Sequence, residues 1–367
     1  MRRTGLWVFS VLFLAAFVQP PTTYYRSKAL HIRVPDFGSE RKEYTIRDDH
    51  GQPMSVIAVN GTDGLPYWYR RVFTPVCLTG ECRPIDVGIY WHFSGKYLGI
   101  EIYREPLTKT DHSEFSPLDY DRLEDILQNE WSDLREYTAE ELVEPTDKTH
   151  SETQVDGVTG ATRKVISEAA VKDAVYTTHT IWHLIHVGEP EQLALIALSE
   201  VAGNPTLAHR LLATGDTGNR DFVLRGVIDG HLHADPVIEK SILQGLGAED
   251  HAFRDLAFKA LGRLNLSSIT LQKDLSKVYP QLEAGEKIRL LTALEQANML
   301  HRGLQDVLTT EFTADAQPQP WVLIKILSII RQTGSTLTEA EREKISRLKT
   351  DHTALKKALN DFFSSHK

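Results

Sequence analysis

Cysteine is nearly absent from this chain: Cys77 and Cys82 are the two in 367 residues. That excludes a small scaffold stapled by several disulfides. Cys-x-x-Cys-His does not occur, so a c-type haem has no attachment point. Gly-x-Gly-x-x-Gly is missing too, and with it the phosphate loop of the dinucleotide-binding fold. There is no run of five or six basic residues, and the net charge of −9 provides no electrostatic footprint for nucleic acid. The N-terminal apolar run from Leu6 to Val18 falls short of the ~20 residues of a membrane-spanning helix.

What is present fits a globular protein of two domains: 41% hydrophobic residues, 25% charged, and length enough for two cores. Met1-Arg2-Arg3 ahead of the apolar run, with Pro20-Pro21 ending it, reads as an export signal or N-terminal anchor over residues 1–20. Neither Ala-x-Ala nor a lipobox cysteine follows, so the sequence marks no cleavage point. Export implies an extracytoplasmic location, periplasmic and either free or held at the inner membrane. In that oxidising setting Cys77 and Cys82 read either as a structural disulfide or as a dithiol that exchanges electrons with a nearby redox group.

Strand signals fill the first half. Leu30-His31-Ile32-Arg33-Val34 and Ser55-Val56-Ile57-Ala58-Val59 read as short strands, with a turn at Asp48-Asp49-His50-Gly51. Asp86 to Phe93 and Tyr97 to Tyr103 alternate around Ser94-Gly95-Lys96, the best hairpin in the sequence. Tyr67-Trp68-Tyr69 reads as strand packing or as a surface for an aromatic ring. Asp119 to Tyr137 reads as one or two helices with Leu123, Ile126, Leu127 and Leu134 on one side. Glu140 to Gln154 is acidic and aperiodic, hence a loop.

That loop delivers the chain to Asp156-Gly157-Val158-Thr159-Gly160-Ala161-Thr162. Thr159 reads as an N-cap, so that free amides and the positive helix end converge near the Thr162 hydroxyl, a geometry suited to phosphate. A single long helix is expected from there to about Val187, its buried stripe formed by Val171, Val175, Thr178, Trp182 and Ile185. His179, His183 and His186 lie one step round, at i, i+4 and i+7. Such spacing admits packing and hydrogen bonding, ligation of a metal or haem iron, or a proton or electron-transfer role.

Asp-x-x-Thr-Gly-Ala-Thr resembles the flavinylation motif of the FMN-binding domain in the peripheral flavin subunits of sodium-pumping quinone reductase and Rnf complexes. The resemblance covers the motif and, loosely, the strands and helices before it. It implies an α+β FMN-binding domain over 21–187. It also implies FMN joined through a phosphoester to Thr162, with Asp156, Thr159, Gly160 and Ala161 as the surrounding motif. A Mg-dependent flavin transferase that uses FAD would be the maturation partner, acting outside the cytoplasm. Thr159 stands where Ser is common in the family and keeps the hydroxyl.

From residue 189 to 367 strand signals stop. The segments starting at Asp221, Asp255, Lys287 and Trp321 align at about 33–34 residues, with Gln192 a shorter step upstream. A fixed period of two helices per unit is the signature of an α-solenoid, here HEAT-like in a generic sense; an irregular helical bundle is the alternative. This tail departs from the flavin subunits of the pumps. His231 and His233 read as surface residues. Three functions follow as expectations. The first is an extracytoplasmic electron-transfer flavoprotein whose helical repeat docks a membrane or periplasmic redox partner. The others are an exported scaffold with a degenerate flavin domain, and a flavin/dithiol oxidoreductase using Cys77 and Cys82.

Overall fold

The computed structural model describes residues 22–32, 42–48, 51–76, 83–139, 141–142, 166, 168–313 and 319–365. Two compact units divide the chain, 1–192 and 193–367. Among the described residues, an antiparallel sheet with helices forms the first, and helices form the second.

The sheet contains β1 (Thr23–Arg26), β2 (Lys42–Arg47), β3 (Pro53–Asn60), β4 (Pro66–Thr74), β5 (Ile85–His92) and β6 (Tyr97–Tyr103). Their order is β1-β6-β5-β4-β3-β2, and each neighbouring pair is antiparallel. The alternating hairpin at Asp86–Tyr103 becomes the two central strands β5 and β6. Seven of the eight residues of β5 and all seven of β6 are buried, so both faces of the sheet are covered at this point. Gly95 makes the turn at φ +86°, a backbone conformation that glycine adopts without steric cost.

On one face, Trp68, Val87, Ile89, Trp91, Ile100 and Ile102 are almost wholly inaccessible. Two helices of the first unit lie beside the sheet in sequence and pack together: α1 (Pro117–Leu127) and α2 (Val175–His186). Trp91 Nε1 donates to the carbonyl of Ile185 at 3.0 Å and Trp182 Nε1 to that of Asn129 at 3.0 Å. Each buried indole thereby keeps its donor satisfied, the condition under which so large an apolar side chain can be buried without loss. Ser116 and Asp119 cap α1 reciprocally, and Tyr120, Leu123, Ile126 and Leu127 form its buried side.

Two expectations are corrected. Leu30 to Ile32 is not a strand; β1 lies earlier, at Thr23–Arg26, while Arg33 and Val34 fall outside the described residues. Leu30 and Ile32 are buried all the same. The segment crosses over Gly99 of β6, where an added Cβ would meet Leu30 and Ser27 within 2.8 Å. Alternation here records packing on a sheet face without strand pairing. The second correction concerns the helix expected from Thr162 to Val187. Between Ala170 and Ala174 the chain turns, with Asp173 left-handed at φ +60°, and α2 starts only at Val175. Val171 N donates to Thr178 Oγ1 at 3.2 Å, so a side chain replaces the helical carbonyl and the apolar periodicity runs through a break.

The second unit continues from α3 (Glu189–Gly203) through α4 (Pro205–Ala213), α5 (Thr217–Ile228), α6 (Pro236–Gly245), α7 (His251–Leu261), α8 (Ile269–Val278), α9 (Ala284–Leu294), α10 (Arg302–Thr309), α11 (Pro320–Gln332), α12 (Glu339–Arg347) and α13 (Thr353–Ser365). Two rows emerge from the packing. Helices α5, α7, α9, α11 and α13 follow one another in contact, as do α4, α6, α8 and α10. All four aligned segments, at Asp221, Asp255, Lys287 and Trp321, fall in the first row. Asp216, Asp235, Asp250, Ser268 and Thr338 accept amide hydrogen bonds at helix starts, which explains the polar punctuation of the period. Gln272 is fully buried; its amide donates to Leu266 O at 2.7 Å and Met299 O at 2.8 Å, and its carbonyl accepts from His301 N at 2.5 Å. Gln305, 33 residues on, is buried likewise and donates to Thr336 O at 2.9 Å. Gln272 and Gln305 thus each tie a helix pair to the loop of the next.

Candidate functional site

The motif residues Asp156, Thr159, Gly160, Ala161 and Thr162 lie outside the described residues, as do Cys77, Cys82 and the N-terminal segment 1–20. What the structure describes is the segments on either side of the motif in sequence. The described residues run to Leu142 and resume at Ile166, which is buried.

The segment before the motif is fastened to α2, and the residues after it to α1 and to Thr110. His179 Nε2 meets the carbonyl of Tyr137 at 2.7 Å, His183 Nε2 that of Leu134 at 2.9 Å, and His186 Nε2 that of Leu127 at 2.9 Å. A carbonyl only accepts, so each of these rings carries its proton on Nε2. The three histidines therefore pin the segment from Leu127 to Tyr137. After the motif, Arg122 of α1 donates to Glu168 O at 2.7 Å and Thr110 N to Asp173 O at 2.7 Å. The histidine spacing that suggested ligation is used here for hydrogen bonding to backbone. The His179 and His183 rings are tilted by 32° with centroids 4.0 Å apart, and the Trp182 ring lies 4.7 Å from that of His186. Burial holds the His186 imidazole below its ordinary pKa, so it is neutral near pH 7. Among the described residues no group of three or more His, Cys, Asp or Glu is placed to hold a metal ion.

Two polar clusters escaped sequence reasoning. On the sheet face opposite Trp91, Glu101 is 7% exposed and accepts from Tyr90 Oη at 2.6 Å, from Tyr103 Oη and from Arg26. Tyr69 Oη lies 3.2 Å from Tyr103 Oη, and an added Cβ at Gly88 would touch both of those rings at 2.8–2.9 Å. Asp86 is held by Arg71 through two bonds of 2.7 Å and by Arg104 at 3.0 Å. Burial, with the Glu101 carboxylate alongside, raises the Tyr90 and Tyr103 phenols and keeps them protonated. The second cluster joins Glu124 of α1 to Ser27, Tyr25 and Tyr97, and burial pushes the Glu124 carboxyl up. The available signal was an acid inside an alternating strand, Gly99-Ile100-Glu101-Ile102-Tyr103. A charge at that register must find partners or not be buried.

Tyr67 and Trp68 are buried in β4, Tyr69 is half-buried, and His92 ends β5 with its ring 6.0 Å from Tyr67. His231 and His233 are exposed. A groove of about 290 Å³ is lined in part by Trp131, Asn129, Arg122 and Glu168. Trp131 is 77% exposed beside it. Comparison with protein-family models, with curated proteins and with solved structures found no match for this chain.

Proposed function

We propose that this chain is an extracytoplasmic electron-transfer flavoprotein that carries FMN through a phosphoester to Thr162. The observation carrying this reading is the motif Asp156-Gly157-Val158-Thr159-Gly160-Ala161-Thr162. An antiparallel sheet and two helices precede and follow it, as an α+β FMN-binding domain requires. The clamp by His179, His183 and His186 supports it further, because it anchors the stretch leading toward the motif to a rigid helix pair. Sites held by fixed elements keep a cofactor oriented for transfer.

FMN supplies the electron-transfer chemistry when bound; the chain tethers it and sets its surroundings. A covalent tether suits a compartment where a lost cofactor is not replaced. The two rows of helices in the second unit support reading it as a HEAT-like solenoid, whose surface would dock a membrane or periplasmic redox partner. The chain would meet a flavin transferase during maturation.

The test is co-expression with a flavin transferase, followed by in-gel flavin fluorescence under denaturing conditions. The wild type is expected to fluoresce and Thr162→Ala to be dark. A dark wild type sinks the flavin reading, and fluorescence persisting in Thr162→Ala sinks the assignment of the acceptor.

A further inference from the structure

The groove of about 290 Å³ beside α1 is small and polar. Arg122 and Asp125 of α1, Asn129, Trp131 and Asp133 of the segment that follows, and Glu168 line it. Trp131 is 77% exposed, yet the backbone that carries it is tied down. Its own amide donates to Asn129 Oδ1 at 3.0 Å, and Leu134 N donates to Ser132 Oγ at 3.3 Å. Both flanks are held by α2, through Trp182 at Asn129 O and His183 at Leu134 O. An indole left open on a fixed backbone loses little freedom when a ligand covers it, which is what pre-organisation means.

The lining offers acceptors and donors together. Among the described residues neither Asp125 nor Asp133 has a hydrogen-bond or ion-pair partner. Arg122 gives one Nη2 bond to Glu168 O, and Asn129 uses its Oδ1 on Trp131 N. Further guanidinium N–H groups and the Asn129 amide N–H groups are left for a ligand. These charges exclude simpler occupants. An anion would face Asp125, Asp133 and Glu168. A cation would face Arg122 in the groove and the Arg135 guanidinium, which lies 5.4 Å from the Trp131 ring. An apolar ligand would strip charged walls of water without replacing the lost hydrogen bonds. What remains is a neutral ligand with one apolar face and several groups that can both donate and accept.

We propose that this groove binds a neutral pyranose sugar. The C–H face of the ring packs on the Trp131 indole, whose π-face is negative. Its hydroxyls donate to Asp125 and Asp133 and accept from Arg122 and Asn129, because each hydroxyl carries one donor and two acceptor lone pairs. Hydrogen bonds to ionised partners are the stronger kind, so the two carboxylates and the guanidinium fix the orientation of the ring. At about 290 Å³, just under the ~300 Å³ lower end of ligand pockets, the groove suits one ring rather than a long chain. The inference goes beyond the flavin reading and does not draw on it. A dark wild type in the flavin test leaves it standing, and its own failure leaves the flavin reading standing.

Saturation-transfer difference NMR on the full chain tests it, with glucose, galactose, mannose and N-acetylglucosamine as probes. At least one of them is expected to receive saturation, strongest on the C–H protons of one ring face. Trp131→Ala should abolish the signal, and Asp125→Asn combined with Asp133→Asn should weaken binding roughly tenfold or more. Phe73→Ala removes an aromatic of β4 that is 66% exposed and should leave binding unchanged. Tetramethylammonium and inorganic phosphate, each added at the concentration of the sugar, should not displace it. Far-UV circular dichroism on each variant establishes that the fold is intact. Silence from all four sugars, a signal that survives Trp131→Ala, equal loss in Phe73→Ala, or displacement by either ion overturns the proposal.

Discussion

His186 combines 8% exposure, a hydrogen bond from Nε2 to Leu127 O, and a pKa lowered first of all by burial. The folded unit binds this proton less readily than the unfolded chain, whose histidine titrates near ~6.5. Stability contributed by the neutral ring is therefore complete above that value and is lost as pH falls through the folded pKa. Glu124 works the other way: burial raises its pKa, so acid relieves a cost. Comparison with His186→Gln separates the two, since a glutamine amide can still donate to Leu127 O but does not titrate. Melting followed by near-UV circular dichroism should show the wild type losing Tm more steeply than His186→Gln below about pH 6.5. Parallel slopes would mean that His186 does not control the acid limb.

At the scale of elements, Gln272 shows how one helix pair is tied to the next. Its side chain serves the carbonyls of Leu266 and Met299 and the amide of His301, all away from water. Gln272→Leu keeps much of the volume and strips these groups of their partner. Each buried group left unpaired costs about 1–3 kcal/mol. The urea midpoint of the helical unit should fall accordingly, whereas the exposed Gln244→Leu should leave it nearly unchanged. Equal midpoints would show that water replaces the amide. This clamp was invisible in the sequence, where a glutamine among apolar residues reads as a helix surface. The period that contains it was legible, because Asp, Ser and Thr caps recur with the apolar pattern. The same logic divides the sheet unit. The β5–β6 hairpin could be read because alternation and turn chemistry agree there. Leu30–Ile32 misled because a segment packed on a face alternates just as a paired strand does. The break before α2 was hidden because Thr178 supplies a hydrogen bond that local sequence does not announce. For the candidate site, the motif could be read in the sequence as a resemblance, while the histidine clamp depended on carbonyls some 42–59 residues away.

For the molecule as a whole, the question left by the sequence was whether the helices form a stacked array or a bundle with one shared core. Their packing separates these physically. In a stacked array each pair touches only its neighbours, so stability is a sum of local terms and an end pair can be lost without unfolding the rest. In a bundle every helix completes one core, and removing any of them exposes it. The C-terminal pair α12 and α13 is the natural probe, since α13 packs on α11 and buries Leu355 and Phe362. Trp321 in α11 is the one tryptophan between 193 and 367 and lies 5.5 Å from His352, so it reports on the new end. A chain ending at Gly334 should keep far-UV helicity in proportion to its remaining helices and should unfold cooperatively in urea at a lower midpoint. Its Trp321 emission should shift once the His352 contact is gone. Collapse of helicity throughout the second unit would instead show a single shared core, and the array reading would be lost with it.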